Sequence, residues 1–290
     1  MRINHNISAL NTYNRLSVNN NAMSKNMEKL SSGLRINRAS DDAAGLSISE
    51  KMRSQIRGLD QASKNAQDGI SLIQTAEGGL NETHDILQRM RELVVQAGNS
   101  GTQGSEDLTA IQDEIKALKT EIGGIDTDGD GQTDDPGISD RTQFNGKNLL
   151  DGSFSGKFQI GANAGQEMSV SIGNMSATEL GSTNVKISDI NVTDFTTNDY
   201  NTQLGSIDEA IKTVSAERSK MGAVQNRLEH TINNLNTQNE NLTSAESRIR
   251  DVDMAKEMMA QTKNSILAQA SQAMLTQANQ QPQNVLQMLR

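Results

Sequence analysis

"MRSQIRGLDQASKNAQDGISLIQTAEGGLNETHDILQRMRELVVQA", residues 52–97, decides the fold. Within it Met52, Ile56, Leu59, Ala62, Ala66, Ile70, Ile73, Ala76, Leu80, Thr83, Leu87, Met90, Val94 and Ala97 follow one another in steps of three and four. Apolar residues at that spacing share one stripe of an α-helix. The stretch therefore reads as a single helix of roughly 46 residues, about 70 Å long. Gly69, Gly78 and Gly79 lower the local helix propensity and mark kinks or close helix contacts. So narrow a stripe needs other helices to cover it.

Those helices follow in the chain. "GNSGTQGS" (98–105) breaks the period as a turn, and Leu108, Ile111, Ile115, Leu118, Ile122 and Ile125 resume it. A short connection favours an antiparallel return along the first helix. A third stripe runs Ile207, Ile211, Val214, Arg218, Met221, Gln225, Leu228, Ile232, Leu235, Asn239, Leu242, Glu246, Ile249. A repeat of about 3.5 residues held that long implies left-handed coiled-coil packing. Between them, from Phe154 to about Ile190, the period is two: "KFQI" and "EMSVSI" alternate around "GANAGQ", a hairpin.

Both ends of the sequence are helical too. The first stripe is Ile3, Ile7, Leu10, Leu16, Met23, Met27 and Leu30. The last is Val252, Ala255, Met259, Ile266, Ala270 and Ala273, widened by Leu267, Met274 and Leu275. The expected fold is mainly α: a long antiparallel helical coiled-coil bundle built from both chain halves, with a small β-hairpin region inserted. The three central stripes bury one another. At the ends, the backbone entropy of ordering outweighs the few aliphatic side chains available for burial. Self-assembly with neighbouring molecules supplies the difference, with the ends disordered in the monomer; a monomeric bundle with frayed ends is the plainer alternative.

Composition agrees. In 290 residues there is no Trp, two Tyr and four Phe, so a thick round core is not expected. Pro136 and Pro282 are the only prolines, which leaves long stretches free of the strongest helix breaker. No cysteine is present, excluding disulfides, thiolate metal sites and cysteine catalysis. The net charge of −9 argues against nucleic-acid binding, and no run is long and apolar enough for membrane insertion. "MRINHNISALN" lacks the apolar region of a cleaved signal peptide. Charge is uneven: residues 1–59 carry nine Lys/Arg against four Asp/Glu, and 123–140 carry six Asp and no cation.

Several long segments carry a resemblance to one known family. They are "LSSGLRINRASDDAAGLSISEKMRSQIRGL" (30–59), "QDGISLIQTAEGGLNETHDILQRMRELVVQAGN" (67–99), "TQFNGKNLLDG" (142–152), "FQIGANAGQ" (158–166), "GAVQNRLEHTINNL" (222–235), "AESRIRDVDMAKEM" (245–258) and "QQPQNVLQMLR" (280–290). They occur in order over nearly the whole chain; they resemble bacterial flagellin and are most similar to the compact flagellins of Gram-positive bacilli.

The resemblance implies a structural filament subunit for swimming motility, self-assembling through its terminal helices into a helical tube. It implies residues 1–43 and 252–290 as inner-core terminal helices, and 44–251 as a helical rod with its β-hairpin region at about 142–200. An extracellular flagellar location, reached without a cleaved signal peptide, goes with it. The implied partners are identical subunits, the flagellar cap and hook-junction proteins, and a cytoplasmic export chaperone on the segment from Val252 onward. A cytoplasmic assembly factor of the bacillus type and vertebrate Toll-like receptor 5 complete the set. The receptor match falls on Arg89, Leu93 and Gln96, at helical steps of four and three, with Glu114 on the return helix; the same face would contact the neighbouring subunit. "LSSGLRINRASDDAAGLS" is implied to connect the shells, where Arg35, Arg38, Asp41 and Asp42 would form intersubunit ion pairs. Rival readings are a hook–filament junction protein and a coiled-coil adhesion or signalling module.

One stretch departs from the family, which runs directly from the second central helix into the "T-FNG" motif. Here an acidic insertion of about ten residues, within about 126–140, includes "DTDGDGQTDDPG" (126–137). Asp126, Asp128, Asp130 and Gly131 fit positions 1, 3, 5 and 6 of a calcium loop, with Gln132 at 7 and Asp134 at 9. Position 12, where a bidentate Glu belongs, is Gly137. Weak calcium binding is set against a soluble acidic insertion, and no other cofactor is expected. His5, His84 and His230 are isolated, without metal-ligand spacing, and no nucleophile elbow or phosphate loop occurs, so no enzymatic activity is expected.

Overall fold

A computed structural model describes residues 6–99, 101, 103–123, 136–193 and 199–288, with side chains placed through Gln281. The helices in chain order are α1 (Ile7–Ser32), α2 (Ala43–Ala97), α3 (Ser105–Ile122), a short α4 (Ile138–Arg141), α5 (Tyr200–Arg250) and α6 (Met254–Met288). The strands are β1 (Gln143–Phe144), β2 (Lys147–Asn148), β3 (Ser155–Gln159) and β4 (Glu167–Ser171). The fold is mainly α with small antiparallel strand pairs. The chain divides into two compact units, one of Arg57–Gln238 and one of Met1–Ile56 with Asn239–Arg290.

The Arg57–Gln238 unit is built on the central stripes. From Leu59 to Ala97 the stripe read from the sequence is buried throughout, except at half-buried Ile70. α2 begins at Ala43, nine residues before the stripe's first member. On α5, Ile207, Val214, Met221, Leu228 and Leu235 recur every seventh residue and are all buried. α3 adds Ile111, Ile115 and Ile122. Gly69 and Gly79 sit in an unbroken α2, and a Cβ on Gly79 would fall 2.8 Å from Leu150 Cδ1 and 2.7 Å from Thr142 Oγ1. Gly79 is thus a close contact rather than a kink, since its missing side chain lets the loop region lie against the helix.

β3 and β4 pair in the expected hairpin, with Phe158 opposite Met168 and Gly156 opposite Val170. Met168 and Val170 are buried while their neighbours on β4 are exposed, the alternation of a half-covered strand. The smaller β1–β2 hairpin turns at Asn145 (φ 51°) and Gly146 (φ 73°). Two successive positive φ values are what a tight two-residue turn demands, and Asn-Gly meets that demand best.

The period-two reading overshoots. The paired strands end at Ser171, and the chain to Val192 is irregular apart from a 3₁₀ turn at Ile187–Asp189 and isolated bridges. Its apolar residues are nonetheless buried, among them Leu180, Ile187, Ile190 and Val192. Buried backbone groups outside a sheet need other partners, and helix side chains supply them. Gln112 Oε1 accepts from Val192 N–H (2.8 Å), the Ser206 hydroxyl donates to Val185 O (2.6 Å), and Gln203 both accepts from and donates to Asn191. Lys119, 6 % exposed, donates its ammonium to Ser188 O (2.9 Å) and to Ile190 O.

Where α3 ends and α4 begins, Gly123 (φ 96°) and Gly137 touch backbone to backbone: a Cβ on Gly137 would lie 2.3 Å from the Gly123 Cα. The acidic stretch thus departs and returns at one point. Ala177 N–H donates to Gly123 O (3.0 Å), and the Gly137 carbonyl accepts from Asp140 and Arg141 N–H.

Candidate functional site

In the unit of Met1–Ile56 and Asn239–Arg290, α1 and α6 run antiparallel, Asn6 bonding Ala278 O (2.8 Å) and Asn19 bonding Ser271 Oγ (3.3 Å). Farther along, Asn26 donates to Glu257 Oε1 (3.0 Å) and accepts from Asn264 Nδ2 (3.0 Å). On α6 the residues turned toward α1 are Glu257, Gln261, Asn264, Ala268, Ser271, Leu275 and Ala278, at steps of four and three. On α1 they are Ala9, Thr12, Leu16, Asn19, Met23, Asn26 and Leu30. This seam mixes polar side chains and alanines with four larger apolar residues, Leu16, Met23, Leu30 and Leu275.

Other apolar residues point away from it. Ile7 is 64 % exposed, Val18 64 %, Met259 67 %, Ile266 60 % and Met274 65 %. At about 100° per residue, Met259, Ile266 and Ala270 lie on the side of α6 away from the seam, while Met274 flanks it. α1 contains no buried residue at all, and among the described α6 side chains only Ala278 is buried. The stripes read from the sequence therefore need correcting. Leu16, Met23, Leu30 and Leu275 belong to the seam between the two helices, while Ile7, Leu10, Met27, Met259, Ile266, Ala270 and Ala273 face out. On α6 hydrophobicity mostly located the outward side, and on α1 it drew residues from both sides. The seam was legible only as the Gln/Asn/Ser/Ala heptad running from Glu257 to Ala278.

The connectors between these helices and the rest are tied together within one molecule. Arg35 N–H donates to Arg250 O (2.7 Å) and Val252 N–H to Gly33 O (3.0 Å), a one-residue-wide β-bridge. The Arg35 guanidinium donates to Ile249 O (2.5 Å), on the last turn of α5, where carbonyls lack helical donors. Arg38 pairs with Glu28 (2.9 Å). Asp41 accepts from the Asn37 and Arg38 backbone, and these bonds, that from Arg38 foremost, hold its carboxyl below the usual range. Asp42 caps the Gly45 N–H (2.9 Å). Within one chain, therefore, Arg35, Arg38, Asp41 and Asp42 all make local contacts, and of the four only Arg38 forms an ion pair.

In the other unit, Arg89 donates to Glu114 (2.9 Å) on α3 and to Glu92 (3.1 Å), and these bonds, Glu114's first, raise the guanidinium's pKa. Arg91 joins Asp208 on α5 (2.7 Å). Gln96 is exposed, but Leu93 is only 2 % exposed. Leu93 is therefore a core residue and leaves the accessible face to Arg89, Glu92, Gln96 and Glu114. Val95, 44 % exposed, is the aliphatic residue on this part of α2 that the sequence pattern passed over.

Asp126, Asp128, Asp130, Gln132 and Asp134 lie outside the described residues. Among the described residues no cluster of three or more His, Asp or Glu could hold a metal, and no helix is long and apolar enough to cross a membrane. His230 lines an open groove with Leu59, Gln166, Glu167 and Asn234.

Residues 3–155 match the bacterial flagellin N-terminal helical region, and residues 204–289 match the bacterial flagellin C-terminal helical region. The chain belongs to the bacterial flagellin family. Flagellin of Bacillus subtilis (strain 168) is 62 % identical over an alignment of 317 residues covering all of both chains. Flagellin of Halalkalibacterium halodurans is 54 % identical, again over the full length of both. The flagellar filament 33 kDa core protein of Treponema phagedenis is 50 % identical over the same full coverage. As a flagellin, the chain is a structural subunit of the bacterial flagellar filament, a motility structure made of many identical copies outside the cell.

Proposed function

We propose that filament growth proceeds through the outward apolar faces of α1 and α6, with second copies of this chain as their occupants. One observation carries the reading: α1 holds Ile7, Leu10 and Val18 above 60 % exposure and buries nothing of its own. Segments 1–43 and 252–290 then act as the inner-core assembly segments and lose order in dilute solution, because the half-polar seam between them buries almost no side chain within one molecule. Residues 44–251 form the rod.

The remaining partners follow from family membership. Before assembly, the amphipathic segment from Val252 onward is the natural cargo of a cytoplasmic export chaperone. A cytoplasmic assembly factor, the cap and the hook-junction proteins complete the route, taken without a cleaved signal peptide. The accessible face of Arg89, Gln96 and Glu114 is read as a neighbour-subunit contact that Toll-like receptor 5 also recognises. The chain performs no catalysis and needs no cofactor. The acidic insertion is read as a soluble acidic stretch rather than a calcium site, so titration calorimetry with millimolar calcium gives no heat above buffer.

Assembly is tested by sedimentation and electron microscopy on chains carrying Ile7→Ser, Leu10→Ser and Val18→Ser together, or Met259→Ser, Ile266→Ser and Met274→Ser together. Each triple variant keeps the Arg57–Gln238 unit folded and fails to form filaments where the parent chain succeeds. Filaments of normal yield from both variants would refute the reading.

A further inference from the structure

Among the methionines whose side chains are described, four are buried and five are exposed, with Met23 and Met52 half-buried between them. In the Arg57–Gln238 unit Met90, Met168, Met175 and Met221 are 0, 6, 3 and 2 % exposed. On the terminal helices Met27, Met254, Met258, Met259 and Met274 are 59, 48, 53, 67 and 65 % exposed. Four of these five stand on α6, where together with Ile266 and Leu267 they make up the bulk of its exposed apolar surface. The chain has no cysteine, so thioethers are its only reactive sulfur.

We propose that the exposed methionines of α6 form an oxidation site that governs incorporation: Met254, Met258, Met259 and Met274 take oxygen from peroxide-class oxidants while the subunit is free, and the oxidised subunit cannot join a filament. This rests on the assembly reading above. In the reaction with hydrogen peroxide, a sulfur lone pair attacks one peroxide oxygen and the O–O bond breaks. An S–O bond forms and water leaves, after proton transfer to the departing oxygen. The thioether loses two electrons and the peroxide gains them.

The product is the reason the step matters. A thioether is apolar and adaptable, suited to a surface that must fit a neighbouring helix. A sulfoxide is polar and chiral, and burying it without a donor carries a desolvation penalty. Four such groups spread over the exposed surface of α6 would oppose burial of that surface against a neighbouring copy. Once that contact has formed, the same sulfurs are covered, so susceptibility ends with incorporation. The buried methionines of the other unit are shielded in either state, and the oxidised subunit keeps its folded rod. Sulfoxide reductases reverse the change and return the subunit to competence.

The test uses the full chain. Free subunits are treated with hydrogen peroxide, sulfoxide is mapped by peptide mass spectrometry, and the critical concentration for polymerisation is read by sedimentation. The α6 methionines are expected to oxidise at least tenfold faster than Met90 and Met221, and at least tenfold more slowly in preformed filaments than in free subunits. The critical concentration of the oxidised chain rises at least tenfold, and treatment with methionine sulfoxide reductases restores it. A chain carrying M254L, M258L, M259L and M274L, which keeps side-chain volume, polymerises equally before and after peroxide.

Unchanged polymerisation of the oxidised wild-type chain overturns the proposal while leaving the assembly reading intact. A peroxide block that persists in the quadruple variant removes the assignment to α6. Should that variant fail to polymerise untreated, the reductase arm decides: recovery supports the proposal and no recovery overturns it. Failure of the untreated wild-type chain to polymerise removes the assembly reading itself, and this inference with it.

Discussion

Lys119 shows how one residue reconciles a helix with irregular chain. Its ammonium is buried where only carbonyls of Ser188 and Ile190 meet it, and burial lowers its pKa from the ordinary 10.5 to about 8, with Asp189 opposing the shift. Below pH 8 the folded chain carries the cost of a desolvated charge. Between about pH 8 and 10.5 the folded chain holds the neutral amine while the unfolded chain keeps its proton, so this group's contribution to stability rises with pH, by up to about 3 kcal/mol. The neutral amine still has two N–H donors for its two carbonyls. Urea denaturation of the parent chain and of Lys119→Met at pH 7 and pH 10 should show the parent gaining on the variant at the higher pH. Leu93 gives a second check at this scale. As a core residue, its change to Ala should lower stability by about 2–5 kcal/mol in the same assay, where an exposed contact residue would leave it unmoved. Neither role was legible beforehand, because a lysine on an apolar stripe and a leucine beside one look like ordinary flank positions until their neighbours are placed.

Among the elements, legibility followed burial. The α2 and α5 stripes were readable because the residues that repeat are the ones their neighbours cover. The β1–β2 hairpin passed unnoticed although "FNGK" contains the Asn-Gly signal, since two residues on each side give no alternation to count. The α1–α6 pair was misread for the opposite reason: each helix has two faces, and apolar residues stand on both. Polar residues in such a seam fix register at a cost in stability. Replacing Asn19, Asn26 and Asn264 by Leu should therefore raise helicity in dilute solution, read by circular dichroism, and slow proteolysis of both ends. The glycine crossing offers a sharper test. Gly137→Ala puts a Cβ where the backbone of Gly123 already stands, and overpacking of this kind costs about 1–3 kcal/mol, measurable as a lower urea midpoint.

For the molecule as a whole, the two units differ in what completes them. The Arg57–Gln238 unit holds a continuous apolar core spanning α2, α3, α5 and the β region. The terminal helices have none, which is why composition and periodicity pointed to many copies before any partner was in view. A chain reduced to residues 57–238 should keep its cooperative unfolding transition and form no filaments at any concentration. Unfolding of that fragment without a transition would mean that the core depends on the terminal segments.

The meeting of Gly123 and Gly137 has one more consequence. Gly123 and Gly137 stand side by side, so the helices they follow and precede need not register how much sequence runs between them. Doubling the length of such an excursion adds only about 0.6 kcal/mol of closure entropy. Lineages can therefore vary the cargo carried at this doorway, in length and in chemistry, while the supporting helices stay the same; a foreign peptide grafted there should leave the urea midpoint almost where it was.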